Sequence, residues 1–141
     1  MSTLSRDELV SELSRIFAEE VEAATRYIHL LNSVRGMDRL VVEPILREGV
    51  TETIQHAEVI ARKIRSLGRV PRLDIKVNCP PEAISGREAL RQALVFEEAA
   101  LEGYQDLLRR VEGDVPLEEF VRSQIALESE HVAQLRELLD E

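Results

Sequence analysis

A helical stripe near the C-terminus restricts the possible folds of this chain more than any other stretch. Its members are spaced three or four residues apart and so share one face of a helix: Val121, Ile125, Glu128, His131, Leu135 and Leu138. A carboxylate and an imidazole therefore interrupt an apolar face, where an unpartnered charge costs several kcal/mol. Either a metal ion compensates for this cost, or Glu128 is solvated and His131 is a hydrogen-bonded core histidine.

Composition predicts one soluble, all-helical domain. The 141 residues are enough for a single core, and glycine, proline and aromatic residues are scarce. A formal net charge of −9 argues against nucleic acid and anionic membranes as partners. With no signal-peptide-like start and no membrane-length apolar run, we expect a cytoplasmic protein or one enclosed in an intracellular compartment. The single cysteine, Cys79, excludes a four-thiolate iron site.

Capping signals and hydrophobic periodicity divide the chain into four long helices. Ser5 with Glu8, and Ser85 with Glu88, form S-x-x-E capping boxes at two of the helix starts. The segment between the second and third helices carries three prolines and no helical period, so it predicts a crossover along the bundle. The expected bounds are 5–35, 38–67, 85–112 and 115–140 for the helices, and 68–84 for the crossover.

Each predicted apolar seam is interrupted near its middle by a side chain that can bind a metal. In chain order these residues are Glu20, His56, Glu97, and the pair Glu128 and His131. Each interruption alone would destabilise an apolar core, so four at comparable depth indicate a shared purpose. Carboxylates with one imidazole per metal favour iron, with manganese as an alternative.

The first and third helices share a further pattern. Glu20 is followed seven residues later by Tyr27, and Glu97 by Tyr104. Seven residues are two helical turns, so each tyrosine lies on the stripe of its glutamate. The pattern resembles an internal repeat, with both tyrosines as hydrogen-bond donors to ligating carboxylates. The alternative for Tyr104 is a core aromatic residue with a satisfied hydroxyl.

At this point the chain resembles the ferritin-like superfamily, and bacterioferritin and rubrerythrin most closely. The resemblance rests on the Glu20–Tyr27 spacing, QHAEVIARKIRSLGRVP in the second helix, Glu97, and the Glu128-Ser-Glu-His131 stretch. It implies a four-helix bundle with a long crossover, two bound irons, oxidation of Fe(II) by dioxygen or hydrogen peroxide, and homo-oligomers. The ligands it implies are Glu20, His56, Glu97, Glu128 and His131.

One position departs from that family pattern. A bridging glutamate is expected three residues before His56, where this chain has Thr53. Glu52 stands four residues before His56, roughly 40° from its direction at about 100° per residue. We therefore predict Glu52 as a sixth ligand, reaching the metals from a different angle. The alternatives are an asymmetric site, a site that binds one iron firmly, or a loss of oxidase activity.

Two subfamily features are missing from the sequence. Ile54 occupies the position of the haem-ligating methionine of bacterioferritin, so we expect no haem, and the cysteines of a rubredoxin domain are missing. The short fifth helix of cage-forming ferritins has no counterpart after the fourth helix, so a 24-subunit shell is not expected.

Three functions fit the pattern. The leading hypothesis is a ferroxidase-type di-iron protein for iron storage or detoxification. The second is a di-iron or di-manganese oxidoreductase acting on a small organic substrate or peroxide, which would need an apolar pocket beside the metals. The third is a metal-free helical interaction module.

Overall fold

The computed structural model describes residues 4–140 and contains four α-helices in that range. They are α1 (Arg6–Leu31), α2 (Asp38–Ser66), α3 (Gly86–Arg110) and α4 (Val115–Leu139). At the start of α1 the capping box is complete, since Ser5 Oγ accepts from Glu8 N at 3.1 Å and Ser5 N donates to Glu8 Oε1 at 3.0 Å. At the start of α3, Ser85 Oγ accepts from Glu88 N at 3.1 Å. Within residues 4–140, no helix is both long and apolar enough to cross a membrane.

The first helix is shorter than the sequence predicts, because α1 ends at Leu31 and not near residue 35. Two polar side chains beyond its end bond the carbonyls of the last turn. Asn32 Nδ2 donates to Ile28 O at 2.8 Å, and Ser33 Oγ donates to His29 O at 2.6 Å. These bonds replace the backbone donors that a continuing helix would supply. The ends of the other three helices lie within two residues of those expected.

The segment between α2 and α3 lies along α1. Arg72 N donates to Ser14 Oγ at 3.2 Å, and further along the segment Lys76 N donates to Glu22 Oε1 at 3.2 Å. The segment therefore follows α1 from its N-terminal half towards its C-terminal end. Its backbone is anchored by side chains of the helix rather than by a neighbouring strand.

The end of this segment is fixed beside the α1–α2 loop. Ile84 N donates to Ser33 O at 2.9 Å, and Arg35 N donates to Ile84 O at 3.0 Å. Just beyond, Gly86 N at the start of α3 donates to Asp38 Oδ2 at the start of α2, at 2.8 Å. The N-termini of α2 and α3 therefore lie at the same end of the bundle, and the two helices run parallel.

The buried core consists of two apolar clusters with a polar layer between them. The first cluster includes Leu30, Leu31, Val42, Leu46, Leu90, Leu94, Val132, Leu135 and Leu139. The second includes Leu9, Leu13, Ile60, Ile64, Leu107, Val111, Leu117 and Val121. Truncating such a leucine or isoleucine to alanine costs about 2–5 kcal/mol. Because all four helices pack into both clusters, their heights are fixed and the side chains between the clusters are brought to one level.

Candidate metal centre

All four helices contribute a metal-binding side chain to the layer between the two apolar clusters. Glu20 comes from α1, His56 from α2, Glu97 from α3, and Glu128 with His131 from α4. The first four are buried, with Glu128 only 1% exposed, and His131 is partly buried. The structure therefore brings the five side chains together at the level where the sequence pattern breaks.

The first of two ligand groups combines Glu20, His56 and Glu128. His56 Nδ1 lies 3.1 Å from Glu20 Oε2 and 2.8 Å from Glu128 Oε1. One ligand atom from each residue lies within 4.8 Å of the other two, which is close enough for all three to bind one ion. All three residues are buried, so this group is closed to solvent.

The second group combines Glu97, Glu128 and His131, whose ligand atoms satisfy the same 4.8 Å limit. His131 Nδ1 lies 3.4 Å from Glu97 Oε2. The rings of His56 and His131 stack with their centroids 5.5 Å apart and their planes 15° apart. Both rings direct Nδ1 towards carboxylates of the centre, and Glu128 belongs to both groups.

The pKa values of Glu128 and His56 are both raised in this centre. Burial raises the pKa of Glu128 to about 9, despite its hydrogen bond with His56. Burial alone would lower the pKa of His56, but hydrogen bonds to Glu128 and Glu20 raise it to about 10. Because the two groups are in contact, these two pKa values belong to the pair rather than to either residue alone.

The pKa values of Glu20, Glu97 and His131 shift in directions that depend on their hydrogen-bond partners. Burial raises the pKa of Glu20, and its hydrogen bond with His56 only partly offsets this effect. Burial also opposes ionisation of Glu97, but hydrogen bonds led by that from His131 hold its pKa below the ordinary value. Burial would lower the pKa of His131, whereas its hydrogen bond to Glu97 and the charge of Glu52 raise it.

Two buried oxygens support occupation by a cation. Glu97 Oε2 and Glu128 Oε2 are both buried, and neither forms a well-aligned hydrogen bond within residues 4–140, although His131 Nδ1 lies 3.4 Å from Glu97 Oε2. Two carboxylates that approach each other in the interior need a shared proton or a cation between them. Carboxylate oxygens with one imidazole nitrogen on each side are a donor set that fits iron or manganese. The residues present therefore fit a two-metal site.

Tyr27 fixes one of these carboxylates. Its hydroxyl donates to Glu97 Oε1 at 3.0 Å, and burial raises the pKa of Tyr27 far enough that the phenol keeps its proton. Its ring packs edge-on against Phe96, with centroids 4.9 Å apart. The ring also passes so close to Gly49 that a Cβ there would lie 2.4 Å from Tyr27 Cε1.

Gly49 is a residue that the sequence analysis missed. It lies inside α2 and is buried, in a position where glycine weakens a helix by about 1 kcal/mol relative to alanine. A glycine at a core position of a helix was the available signal, since such a residue often marks a close approach by another group. Here that group is the ring of Tyr27.

Tyr104 differs from Tyr27. It is 1% exposed and packs in the second apolar cluster, but its hydroxyl has no hydrogen-bond partner within residues 4–140. Burial and the charge of Glu20 raise its pKa. The hydrogen bond that the repeat predicts between Tyr104 and a ligand is therefore not formed in this structure.

The position of the family's second bridging carboxylate is occupied by Thr53. Its side chain is buried, and Oγ1 donates to Gly49 O at 2.6 Å, one helical turn back. The neighbouring Glu52 reaches the centre from the side, and its carboxylate contacts His131 Nε2. Glu52 lies outside both ligand groups, so its role as a sixth ligand stays a prediction.

Comparisons with known proteins agree with this geometry. The model of the ferritin-like domain family matches residues 10–141. The chain belongs to the ferritin-like family. The predicted resemblance and the predicted four-helix fold are thereby confirmed. No curated protein matches the chain.

Solved structures similar to this member of the ferritin-like family include several iron proteins. A ferritin-like, diiron-carboxylate protein from Bacillus anthracis is 26% identical, with a TM-score of 0.83, covering 96% of this chain and 99% of its own. The bacterioferritin-related dodecameric thioferritin from Bacteroides fragilis is also 26% identical, with a TM-score of 0.86 and coverages of 98% and 88%.

A more distant similarity shows the fold alone. The bacterioferritin of Rhodobacter capsulatus, described with a metal-free dinuclear site and a haem iron, is 23% identical. Its TM-score is 0.75, and the match covers 95% of this chain and 84% of that one. Membership in this family supports a role in handling iron in general.

Proposed function

We propose that this protein binds two Fe(II) ions as substrate at the four-helix centre and oxidises them with dioxygen or hydrogen peroxide. The observation that carries the proposal is the sharing of Glu128 between the two ligand groups. A carboxylate common to both groups can bridge two ions and hold them side by side. Two adjacent Fe(II) ions become two Fe(III) ions and supply two electrons, which with two protons reduce dioxygen to hydrogen peroxide or hydrogen peroxide to water.

Each ion is bound by its own group of three side chains, and Glu128 is common to both groups. Glu20 and His56 complete one group around Glu128, and Glu97 and His131 complete the other. Five side chains cannot fill the coordination spheres of two iron ions, so positions stay open for the oxidant. Metal binding must displace the proton that Glu128 and His56 share, because both bind a cation in their unprotonated forms.

Tyr27 and Thr53 shape the centre without adding charge to it. The Tyr27 hydroxyl holds Glu97 Oε1, which leaves Oε2 of the same carboxylate directed at the second group. Thr53 keeps its hydroxyl bonded to its own helix, so it offers no oxygen to the metals. Three buried carboxylates therefore face two divalent ions, with Glu52 at the margin.

The wider role that we propose is iron storage or detoxification in a homo-oligomer. The donor set favours iron, with manganese as the alternative. The similar protein of Bacteroides fragilis is described as a dodecamer, which supports an assembly of copies. We propose no haem, because position 54 carries a partly exposed isoleucine that cannot ligate haem iron.

Anaerobic titration with Fe(II), followed by admission of air, tests the proposal. We expect two Fe(II) ions per chain and then a rise in ferric absorbance. Glu128→Ala should abolish both signals, because it removes the carboxylate common to both groups. Glu130→Ala is the matched control: it lies two residues further along α4, is exposed, and should leave both signals unchanged.

The same experiment decides between the proposal and a metal-free module. Absence of Fe(II) binding by the unchanged chain would support the metal-free reading. Identical traces for the unchanged chain and Glu128→Ala would show that any iron chemistry takes place elsewhere.

The geometry does not favour the organic-substrate alternative. A groove of about 780 Å³ lies between α1, α3 and the segment that joins α2 to α3. None of the six candidate ligands lines it. Phe96, which lines the groove, packs against Tyr27, and Tyr27 bonds Glu97, so two aromatic rings separate the groove from the carboxylate.

A further inference from the structure

The two ring nitrogens of His131 contact different carboxylates. Nδ1 points towards Glu97 Oε2 at 3.4 Å, inside the second ligand group. Nε2, on the other side of the ring, contacts Glu52. Because the two nitrogens lie on opposite sides of the imidazole, the carboxylate of Glu52 is held away from the point where the ligand atoms converge.

We propose that Glu52 is a positioning residue that acts through His131 and is not itself a metal ligand. The inference rests on the proposed function, since it concerns how the second group receives a metal. A carboxylate at Nε2 keeps the proton on that nitrogen and leaves the lone pair of Nδ1 for a metal. It also fixes the plane of the ring.

The helix geometry of α2 explains why Glu52 takes this place. Neighbouring residues on a helix point about 100° apart, so Glu52 and Thr53 cannot both face the centre. Thr53 faces inward and is 3% exposed, whereas the side chain of Glu52 is 30% exposed. The carboxylate that the family pattern expects at position 53 is therefore not restored by Glu52, which lies on the rim.

His131 needs such a partner more than His56 does. His56 Nδ1 is held between Glu20 and Glu128, and its side chain is 7% exposed. His131 has a single carboxylate near Nδ1, at the longer distance of 3.4 Å, and its side chain is 16% exposed. Glu52 supplies the second contact that orients this more exposed ring.

A double-mutant cycle with anaerobic Fe(II) binding tests the inference. In the otherwise unchanged chain, Glu52→Gln should weaken the second Fe(II) by about 10-fold or more and leave the first unaffected. In a His131→Ala background, Glu52→Gln should have no further effect, because the ring through which it acts is gone. Glu52→Ala should lose more than Glu52→Gln, which keeps an acceptor oxygen.

Glu58→Gln is the control for charge. It removes the same charge from an exposed side chain of α2 that pairs with Arg62, and we expect Fe(II) binding within about 2-fold of the unchanged chain. A loss equal to that of Glu52→Gln would show that the effect is general electrostatics and would overturn the inference.

Crystal structures of the metal-free variants add a readout that does not involve iron. Glu52→Ala should leave the His131 ring without its single orientation, while Glu58→Gln should retain it. An unchanged ring in Glu52→Ala would overturn the inference.

The other outcomes are equally decisive. Equal losses from Glu52→Gln with and without His131 would show that Glu52 is a direct ligand. No loss in the unchanged background would show that the contact has no consequence for binding. Absence of Fe(II) binding by the unchanged chain would refute the proposed function itself, and this failure is recognised before any variant is compared.

Discussion

The two halves of the candidate metal centre are built from the same repeated pattern but differ in how closed they are. In one half His56 lies between two buried carboxylates, Glu20 and Glu128. In the other half His131 is partly exposed and contacts the half-exposed Glu52 at the rim. The comparison shows that a sequence repeat can set which residues meet without setting how far water is excluded from each half.

Replacing each histidine in turn gives the largest expected contrast between the halves. His131→Ala should weaken binding of the second Fe(II) strongly but measurably and leave the first tight, because the Glu20–His56–Glu128 group is untouched. His56→Ala should abolish Fe(II) binding by the closed half. It should also destabilise the metal-free protein by about 1–3 kcal/mol, since two buried carboxylates lose their hydrogen-bond partner. Anaerobic titration and thermal unfolding measure the two effects.

His29→Ala is the control for these variants. His29 is partly buried on α1, where its Nδ1 lies 3.3 Å from Ser33 Oγ, and it belongs to neither ligand group, so both Fe(II) ions should still bind. Equal stoichiometry and equal stability for His56→Ala and His131→Ala would mean that the halves are equivalent, contrary to the geometry.

Thr53→Glu should make the two halves more alike. A carboxylate at this inward position would supply the bridge that the family pattern expects, so both Fe(II) ions should bind more tightly, by about 10-fold for the weaker one. The metal-free variant should lose about 2–4 kcal/mol of unfolding free energy, because a fourth buried carboxylate joins three that already repel one another.

Thr53→Val separates these two effects. It keeps the shape of the side chain and removes the hydroxyl that bonds Gly49 O, so it should change Fe(II) binding little. Thermal unfolding of both variants, with and without Fe(II), makes the comparison. A Thr53→Glu protein that is destabilised but not rescued by Fe(II) would show that position 53 does not reach the metals.

The sequence was sufficient for the fold and for five of the residues that meet at the centre. Periodicity placed five residues on inward stripes, and the predicted bounds of the four helices gave their heights: Glu20, His56, Glu97, Glu128 and His131. These features depend on local spacing, which can be read along one chain. Resemblance to a known family added the expectation of two metals.

Three features could not be predicted in this way because they depend on contacts across helices. The end of α1 depends on where Asn32 and Ser33 direct their side chains. The direction of Glu52 depends on where His131 of another helix presents Nε2. The importance of Gly49 depends on the ring of Tyr27, 22 positions earlier in the chain.

Gly49→Ala should weaken the more open half selectively. A Cβ at this position would lie 2.4 Å from Tyr27 Cε1, so the ring must move and its 3.0 Å hydrogen bond to Glu97 must lengthen or break. We expect a loss of about 1–3 kcal/mol in stability. We also expect weaker binding of the Fe(II) that Glu97 holds, of the same size as in Tyr27→Phe.

Gly103→Ala is the matched control for this substitution. The site lies in α3, and a Cβ there would have its nearest neighbour, Glu19 Oε2, at 3.9 Å, which is ordinary contact distance. It should be neutral or slightly stabilising, because alanine is the better helix former. Equal destabilisation by both variants would indicate a general helix effect and not the displacement of Tyr27.

The pH dependence of the stability of the metal-free protein should come mainly from the closed half. Glu128 has a pKa of about 9 in the folded chain against an ordinary 4.5, and His56 about 10 against 6.5. The folded protein therefore holds protons that the unfolded chain releases, and this contribution is lost as pH rises. Between about pH 6.5 and 9, both groups act in the same direction, so the melting temperature should fall across this range.

Two variants assign this slope to one half of the centre. Glu128→Gln removes the carboxyl that shares the proton with His56, so its melting temperature should change less between pH 6.5 and 9. Glu52→Gln alters the open half, where the carboxylate is partly exposed, and should retain more of the slope of the unchanged chain than Glu128→Gln does. Because bound Fe(II) takes the place of the shared proton, saturating Fe(II) should flatten the slope of the unchanged chain as well. A slope that disappears in Glu52→Gln and persists in Glu128→Gln would place the shared proton in the open half and reverse the assignment.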